Sequence, residues 1–232
     1  MNIKDALVLI PARMGSKGIP FKNRRLLQGK PLLQYTLDIA LHLFPKDRIV
    51  VSSDDPEILQ SAQSAGLEQV INRPKALSGD DVPMMQVIHH ALAHVPHPLP
   101  EFLVLLQPTS PFRSAKDVVD SYALLSPQVQ AVVSVRSAKD LPGYNTFALN
   151  PEGHLKVEPL LALQRQDMLD AYTLNGAIYW MRIADVMQLK SILELHTIQP
   201  YCMPVIRSLD IDTEEDWQLA EIFAHSGYLP KS

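Results

Sequence analysis

Two stretches far apart in the chain carry opposite charge in patterns that suit phosphate chemistry. Between Pro11 and Pro31 stand six cations, Arg13, Lys17, Lys22, Arg24, Arg25 and Lys30, with no acidic residue among them. Gly15, Gly18, Pro20 and Gly29 break any regular helix there, so the cations belong to a long loop. Near the other end, Asp210 and Asp212 stand two apart in Ser208-Leu209-Asp210-Ile211-Asp212-Thr213. On extended backbone they project to one side while Leu209 and Ile211 face the other. Two carboxylates on one face suit Mg²⁺, a hard cation that takes carboxylate, water and phosphate oxygens together. A solvated basic loop and a solvated acidic patch are the plain alternatives; six cations without a carboxylate argue against the first.

The elements around these stretches read as an alternating α/β pattern. Leu7, Val8, Leu9 and Ile10 form an apolar run of the kind a buried parallel strand needs. Pro31 then opens a helix whose apolar face is Leu32, Leu33, Thr36, Leu37 and Ala40. A glycine-bearing cationic loop between a first strand and a helix is where open α/β sheets hold phosphates. The spacing matches neither G-x-x-x-x-G-K-[ST] nor G-x-G-x-x-G.

Further strands are expected at residues 48–53, 69–71, 102–106 and 131–135, with a return strand inside 172–180. Helices are expected over 55–65 and 115–125, and from about residue 82, burying Val82, Met85, Ile88, Leu92 and Val95. Ser53 and Asp54 are assigned to capping the helix over 55–65. Gln107, Pro108, Thr109 and Ser110 follow the most apolar strand, at the end where such sheets bind ligands. Thr213 with Asp216 caps a last helix packed through Trp217, Ala220 and Phe223, and Gly227 ends it. The span from about 137 to 173 is broken by Gly143, Pro151, Gly153 and Pro159, and reads as a hairpin-rich insertion outside the main sheet. The expected fold class is therefore α/β, one domain over 1–232 on a doubly wound, mainly parallel, Rossmann-like sheet.

Composition narrows the function classes. Hydrophobic residues make up 47% of the 232, enough for a sizeable core, and the net charge of −4 gives no general attraction to nucleic acid. The single cysteine, Cys202, excludes an internal disulfide and a cysteine zinc cluster. No run reaches transmembrane length and no signal peptide is apparent, so a cytoplasmic protein without membrane or nucleic-acid partners is expected. His89, His90, His94 and His97 are read as a helix with partly exposed histidines, since no third metal ligand is placed beside them.

The string Pro11-Ala12-Arg13-x-Gly15-Ser16-Lys17-x-Ile19-Pro20-x-Lys22-Asn23 resembles the signature of the CMP-sialic acid synthetases, the acylneuraminate cytidylyltransferases. Similar strings recur at Leu106-Gln107-Pro108-Thr109-Ser110-Pro111-x-Arg113, at Asn175-Gly176-Ala177-Ile178-Tyr179 and at Asp210-x-Asp212. The resemblance implies a nucleotide-diphospho-sugar transferase-like fold that joins CTP to a nine-carbon 2-keto sugar acid, a nonulosonic acid, and releases pyrophosphate. It implies nucleotide contacts at Ala12, Arg13, Ser16, Lys17, Lys22, Asn23, Arg73 and Asp80, and sugar contacts at Gln107, Thr109, Ser110, Arg165 and Tyr179. Mg²⁺, with Mn²⁺ as a substitute, would sit at Asp210 and Asp212. Arg13, Lys22 and Asp212 would carry the catalysis, with Asp212 also a candidate proton acceptor. The insertion would form a homodimer contact.

The resemblance departs from the family where the sugar is chosen. Tyr144 falls where sialic acid enzymes often have a lysine, and Leu193-Glu194 where they have an aromatic pair. Legionaminic and pseudaminic acids thus stand beside N-acetylneuraminic acid as substrates. A nucleotidyltransferase for a Kdo-type acid or a sugar 1-phosphate, and a non-catalytic nucleotide-binding regulator, remain open alternatives.

Overall fold

The computed structural model describes residues 2–138 and 171–230. The first apolar run forms β1 (Leu7–Pro11), with all five residues buried. A seven-stranded sheet extends to both sides of it. Its remaining strands are β4 (Ile49–Ser53), β5 (Gln69–Asn72), β6 (Phe102–Leu105), β7 (Ala131–Ser137), β8 (Tyr172–Arg182) and β9 (Ile198–Cys202). Their order is β5-β4-β1-β6-β8-β7-β9. All run parallel except β8, which pairs antiparallel with both β6 and β7.

Residues alternate between the two faces of this sheet, as the pleat requires. Val8 and Ile10 pack under α1 (Leu32–Leu43), α2 (Pro56–Ser64) and α4 (Ala115–Tyr122). Leu7 and Leu9 pack under α3 (Met84–Leu92) and the short α5 (Ile183–Val186). A third cluster, including Ile19, Leu32, Phe112, Ile211 and Trp217, seats α6 (Glu214–His225) against the end of the basic loop. Helices on both faces and a mainly parallel sheet are the doubly wound arrangement expected.

Several local expectations are refined. The basic loop is not irregular throughout: a 3₁₀ turn spans Lys22–Arg24, and a two-stranded hairpin joins β2 (Leu26–Leu27) to β3 (Lys30–Pro31). Gln28 and Gly29 turn it at positive φ, 49° and 75°, as a tight two-residue hairpin loop demands. Helix α3 begins at Met84, leaving Val82 outside. Pro83 disfavours helical backbone at the residue before it, which explains the later start. The cap of α2 is Asp55, whose carboxylate accepts from the Glu57 amide at 3.0 Å. Ser53 instead accepts from the Asp55 amide, and Asp54 serves the basic loop, as described below.

The edges of the proposed insertion belong to the main sheet: β7 runs on to Ser137, which pairs with Tyr172 of β8. Residues 139–170 of the span, with Arg165 and Tyr144, lie outside the described residues.

Candidate active site

Strand order reverses at β1, because the chain runs out through β4 and β5 and then returns to β6 on β1's other side. The loops leaving the carboxyl ends of β1 and β6 therefore part and leave a crevice, the usual ligand position in such sheets. Here it is a cleft of about 190 Å³, lined by Arg13, Lys22, Arg73, Asp80, Gln107, Thr109, Asp210 and Asp212 among others.

Three segments distant in sequence are tied together at the cleft. The Lys22 side chain is only 9% exposed. Its ammonium donates to the Ile211 carbonyl at 2.6 Å and to Asp212 Oδ1 at 2.8 Å. The Ile211 amide donates to the Thr109 carbonyl at 2.9 Å, which brings in the loop after β6. Gly18 touches the same acidic segment: a Cβ there would stand 2.0 Å from the Asp212 carbonyl oxygen. Outside the cleft, Arg25 pairs with Glu214 at 2.6 Å and lies over the Trp217 ring, 4.2 Å from its centroid. Asp54 accepts from the Met14 amide at 2.8 Å, and Asn23 Nδ2 donates to the Arg13 carbonyl at 2.9 Å. These bonds fix the backbone from which Arg13 projects.

The cations of the loop divide into two groups. Arg24 pairs with Asp55 and Glu57, Arg25 with Glu214, and Lys30 with Asp38. These three brace neighbouring elements and do not line the cleft. Arg13 and Lys22 do line it, Arg13 in an ion pair with Asp80. Lys17 is exposed, 3.9 Å from Asp80 and 3.6 Å from Asp81. Absence of carboxylates from the loop itself thus overstates the charge that is free for a ligand, since all six cations meet acids from other elements, three of them outside the cleft.

Several residues that line the cleft hold buried polar atoms without a hydrogen-bond partner among the described residues, Arg73 and Asp210 among them. Arg73 is 4% exposed, and its Nε and one terminal nitrogen have no hydrogen-bond partner. Burial pulls its guanidinium pKa down, nearby Asp54 opposes this and Arg13 reinforces it. Asp210 Oδ1 is also buried without a partner. Burial raises the Asp210 carboxyl; Asp212 and Asp216 add to the rise, while the Thr109 hydroxyl and Lys22 pull it back. Gly176, at φ 74°, makes room beside it, since a Cβ there would lie 2.9 Å from Asp210 Oδ2. An unmet buried donor or acceptor costs stability that a ligand recovers.

Other expected residues fall outside the lining. Ala12 is buried, its amide donating to the Ser52 carbonyl at 2.9 Å, and Ser16 is half-buried. Ser110 is fully buried and does not line the cleft. Tyr179 lines a neighbouring cavity that shares Gln107 with the cleft. Its hydroxyl pKa is raised by burial and by the Asp210 charge.

Arg113 has a role the sequence did not suggest. It is fully buried, and its guanidinium donates to Gln107 O at 3.2 Å, Ala177 O at 2.6 Å and Thr36 Oγ1 at 2.6 Å. One side chain therefore clamps α1, β8 and the loop carrying Gln107. Burial pushes its pKa down to about 9, with Asp117 opposing, so it stays charged near neutrality. Arg113→Ala is expected to cost about 3–5 kcal/mol of unfolding free energy, from orphaned acceptors and a new cavity. Denaturant unfolding checks this; a change below about 1 kcal/mol would remove the clamp role.

Cationic and acidic loops converging at the reversal of a doubly wound sheet define a nucleotide-binding α/β protein. The match to known proteins is more particular: residues 7–225 fit the cytidylyltransferase family model, and the chain belongs to that family. It is 32% identical over 220 residues to a CMP-N,N′-diacetyllegionaminic acid synthase of Legionella pneumophila, covering 93% of this chain and 94% of that one. It is also 32% identical over 223 residues to an N-acylneuraminate cytidylyltransferase of Escherichia coli O18:K1:H7. That match covers 92% of this chain but 51% of the relative, so the chain spans about half that protein's length. Among solved structures, a CMP-2-keto-3-deoxy-manno-octonic acid synthetase complexed with CTP shares the fold, with TM-score 0.65 and 19% identity. The superposition covers 96% of this chain and 99% of that one.

Proposed function

We propose that this protein transfers a cytidylyl group from CTP to a nine-carbon 2-keto-3-deoxy sugar acid, giving a CMP-sugar and pyrophosphate. The observation that carries this reading is the direct pairing of Lys22 with Asp212 inside one cleft. It sets the cationic loop directly against the acidic segment, which supports one site made from both. The activities named for the relatives agree with it.

In this reading Arg13 and Lys22 hold the triphosphate, with Ser16, Lys17 and Asn23 assisting from the same loop. Arg73, with its free donors, and Asp80 face the nucleoside. Gln107, Thr109 and Tyr179 face the sugar acid, with Ser110 behind them.

The acidic pair fits a hard divalent ion. Asp210 offers an unpartnered oxygen, and Lys22 occupies only one oxygen of Asp212. Among the described residues no cluster of three or more His, Cys, Asp or Glu side chains could hold a metal, so phosphate and water oxygens would complete the shell. Mg²⁺, or Mn²⁺ in its place, would neutralise phosphate charge there and make the attacking hydroxyl more acidic. The anomeric hydroxyl oxygen forms a bond to the α-phosphorus as the bond from that phosphorus to the pyrophosphate oxygen breaks. Asp212 accepts the hydroxyl proton, and Lys22 and Arg13 stabilise the charge on the leaving pyrophosphate.

The proposed setting is a homodimer in the reducing cytoplasm, in keeping with the lone cysteine, Cys202, which is exposed. None of the helices described is long and apolar enough to cross a membrane.

The test is pyrophosphate release from each of the four nucleoside triphosphates with Mg²⁺, against nonulosonic acids, Kdo and sugar 1-phosphates. Release with CTP and a nonulosonic acid alone, abolished by chelation and restored by Mg²⁺, is the expected result. Release with a sugar 1-phosphate instead would overturn the acceptor, and tight CTP binding with no turnover would return the regulator reading.

A further inference from the structure

Strand β8 departs from regular pairing beside the acidic segment. Val133 of β7 pairs with Tyr179 of β8, and Val135 with Leu174. Between these pairs Ser134 alone lies opposite Asn175, Gly176, Ala177 and Ile178. β8 therefore arches here, and irregularities of this kind gather beside active sites, where they re-aim groups. An arch leaves backbone amides without ladder partners, and buried ones must find others. Side chains supply them. Ser134 Oγ accepts from the Ile178 amide at 2.7 Å, and Asn175 Oδ1 accepts from the Ala177 amide at 3.2 Å. Gly176 stands in the arch at φ 74°, with no Cβ to press on Asp210.

The same two side chains tie the arch to the acidic segment. Ser134 Oγ donates to Asn175 Oδ1 at 2.5 Å, and Asn175 Nδ2 donates to Ser208 Oγ at 2.9 Å. Ser134, Asn175 and Ser208 are at most 5% exposed, so water competes little for these bonds. Ser208 closes a 3₁₀ turn, Val205–Ser208, and stands two residues before Asp210. Arg207 is held separately, by Asp117 of α4 at 3.0 and 3.1 Å. Among the described residues, Ser208 is the nearest hydrogen-bonded tie before Asp210, and Ile211, bonded to Thr109, the nearest after it.

We infer that Asn175 is a positioning residue: through Ser208 and the arch at Gly176 it holds the Asp210 carboxylate against the cleft, where a divalent cation would bind. The inference rests on the cytidylyl-transfer reading and adds to it how the metal-holding acid is kept in place. Asn175 does not line the charged cleft, so its removal takes no group away from there. What disappears is a fixed position. With Ser208 released, the Asp210 segment gains conformational freedom, and ordering it then opposes each binding event.

Pyrophosphate release at saturating CTP and sugar acid, followed against free Mg²⁺, gives the concentration for half-maximal rate. Ser208→Ala cuts the tie to the acidic segment but leaves the bond between Ser134 and Asn175; Asn175→Ala removes both. Each is expected to raise that concentration about 10- to 100-fold, the loss typical when a group supporting a metal ligand is removed. High Mg²⁺ should return the rate towards native, since the groups lining the cleft all remain. Ser208→Thr keeps the hydroxyl and is expected to restore most of the native requirement. Ser121→Ala is the control. Ser121 is fully buried and accepts from Trp180 Nε1 at 3.0 Å, so its loss destabilises the protein without touching the arch. It should lower the melting temperature and leave the Mg²⁺ requirement unchanged. A native requirement in Ser208→Ala, or an equal rise in Ser121→Ala, would overturn the inference and leave the reaction standing. Ser208→Ala decides where Asn175→Ala does not fold.

A readout independent of turnover is the rise in melting temperature that Mg²⁺ adds to CTP-loaded protein. Native protein and Ser121→Ala are expected to show it, and Ser208→Ala to lose most of it at the same Mg²⁺ concentration. Equal increments in all three, zero included, would overturn the positioning role. Silence with every acid in the release assay would overturn the reaction, and this second readout still judges Asn175.

Discussion

Lys22→Ala is expected to lower kcat for pyrophosphate release by about 10²–10³-fold, the loss typical when one preorganised charge at a transition state is removed. Two separate functions disappear with this side chain. In the proposed reaction its charge faces the triphosphate, and its ammonium also joins the basic loop to the Ile211 carbonyl and Asp212. Lys22→Gln separates them, because an amide can still donate to Ile211 but brings no charge. If charge is the larger part, the glutamine variant stays as slow as the alanine one while its melting temperature returns towards that of the native protein. Loss of the buried hydrogen bonds alone would cost about 1.5–3 kcal/mol of stability, a few degrees for a chain of this size. Single-turnover kinetics with calorimetry on both variants make the comparison, and a near-native rate in Lys22→Ala would end the assignment.

Gly18→Ala should be nearly as damaging although Gly18 carries no functional group. The added Cβ would meet the Asp212 carbonyl oxygen at 2.0 Å and the Asp212 carbonyl carbon at 3.2 Å. Both are backbone atoms, so no side-chain rotation relieves the clash. The loop and the acidic segment must move apart by about an ångström, which stretches the Lys22 bonds and displaces Asp212 from its place in the cleft. Misplacement on that scale costs about 10²-fold in rate, and the overpacking costs about 1–3 kcal/mol in stability. Steady-state kinetics and thermal unfolding of the variant measure the two parts. A Gly18→Ala protein with native kcat would show that the two segments need not touch for the chemistry to proceed.

These two residues also mark how far the site was legible in the chain. Lys22 stood out because its type and its place in a cationic loop suit phosphate. Gly18 did not, because its importance lies in what its missing side chain allows to approach from nearly the other end of the chain. Arg73 and Asp80 were expected at the nucleotide and do line the cleft. Ser110 was expected at the sugar pocket and is buried away from the cleft, which local sequence cannot distinguish.

β9 and the β2–β3 hairpin were not among the expectations from local pattern. Local pattern by itself determined six of the seven strands of the main sheet, the helix faces, the capping box of Thr213 with Asp216 and the mainly parallel character of the sheet. Each depends on residues within a few positions of one another, where side-chain period and capping chemistry act directly. Only the tertiary structure decided which cations serve the cleft. Arg24, Arg25 and Lys30 meet Asp55, Glu57, Glu214 and Asp38, acids that the fold delivers from other elements. It also decided that Arg113 clamps and does not contact the cleft, because its three acceptors lie on α1, β8 and a loop. Charge and hydrogen bonding act through space at a few ångströms, and sequence separation says little about which groups come that close.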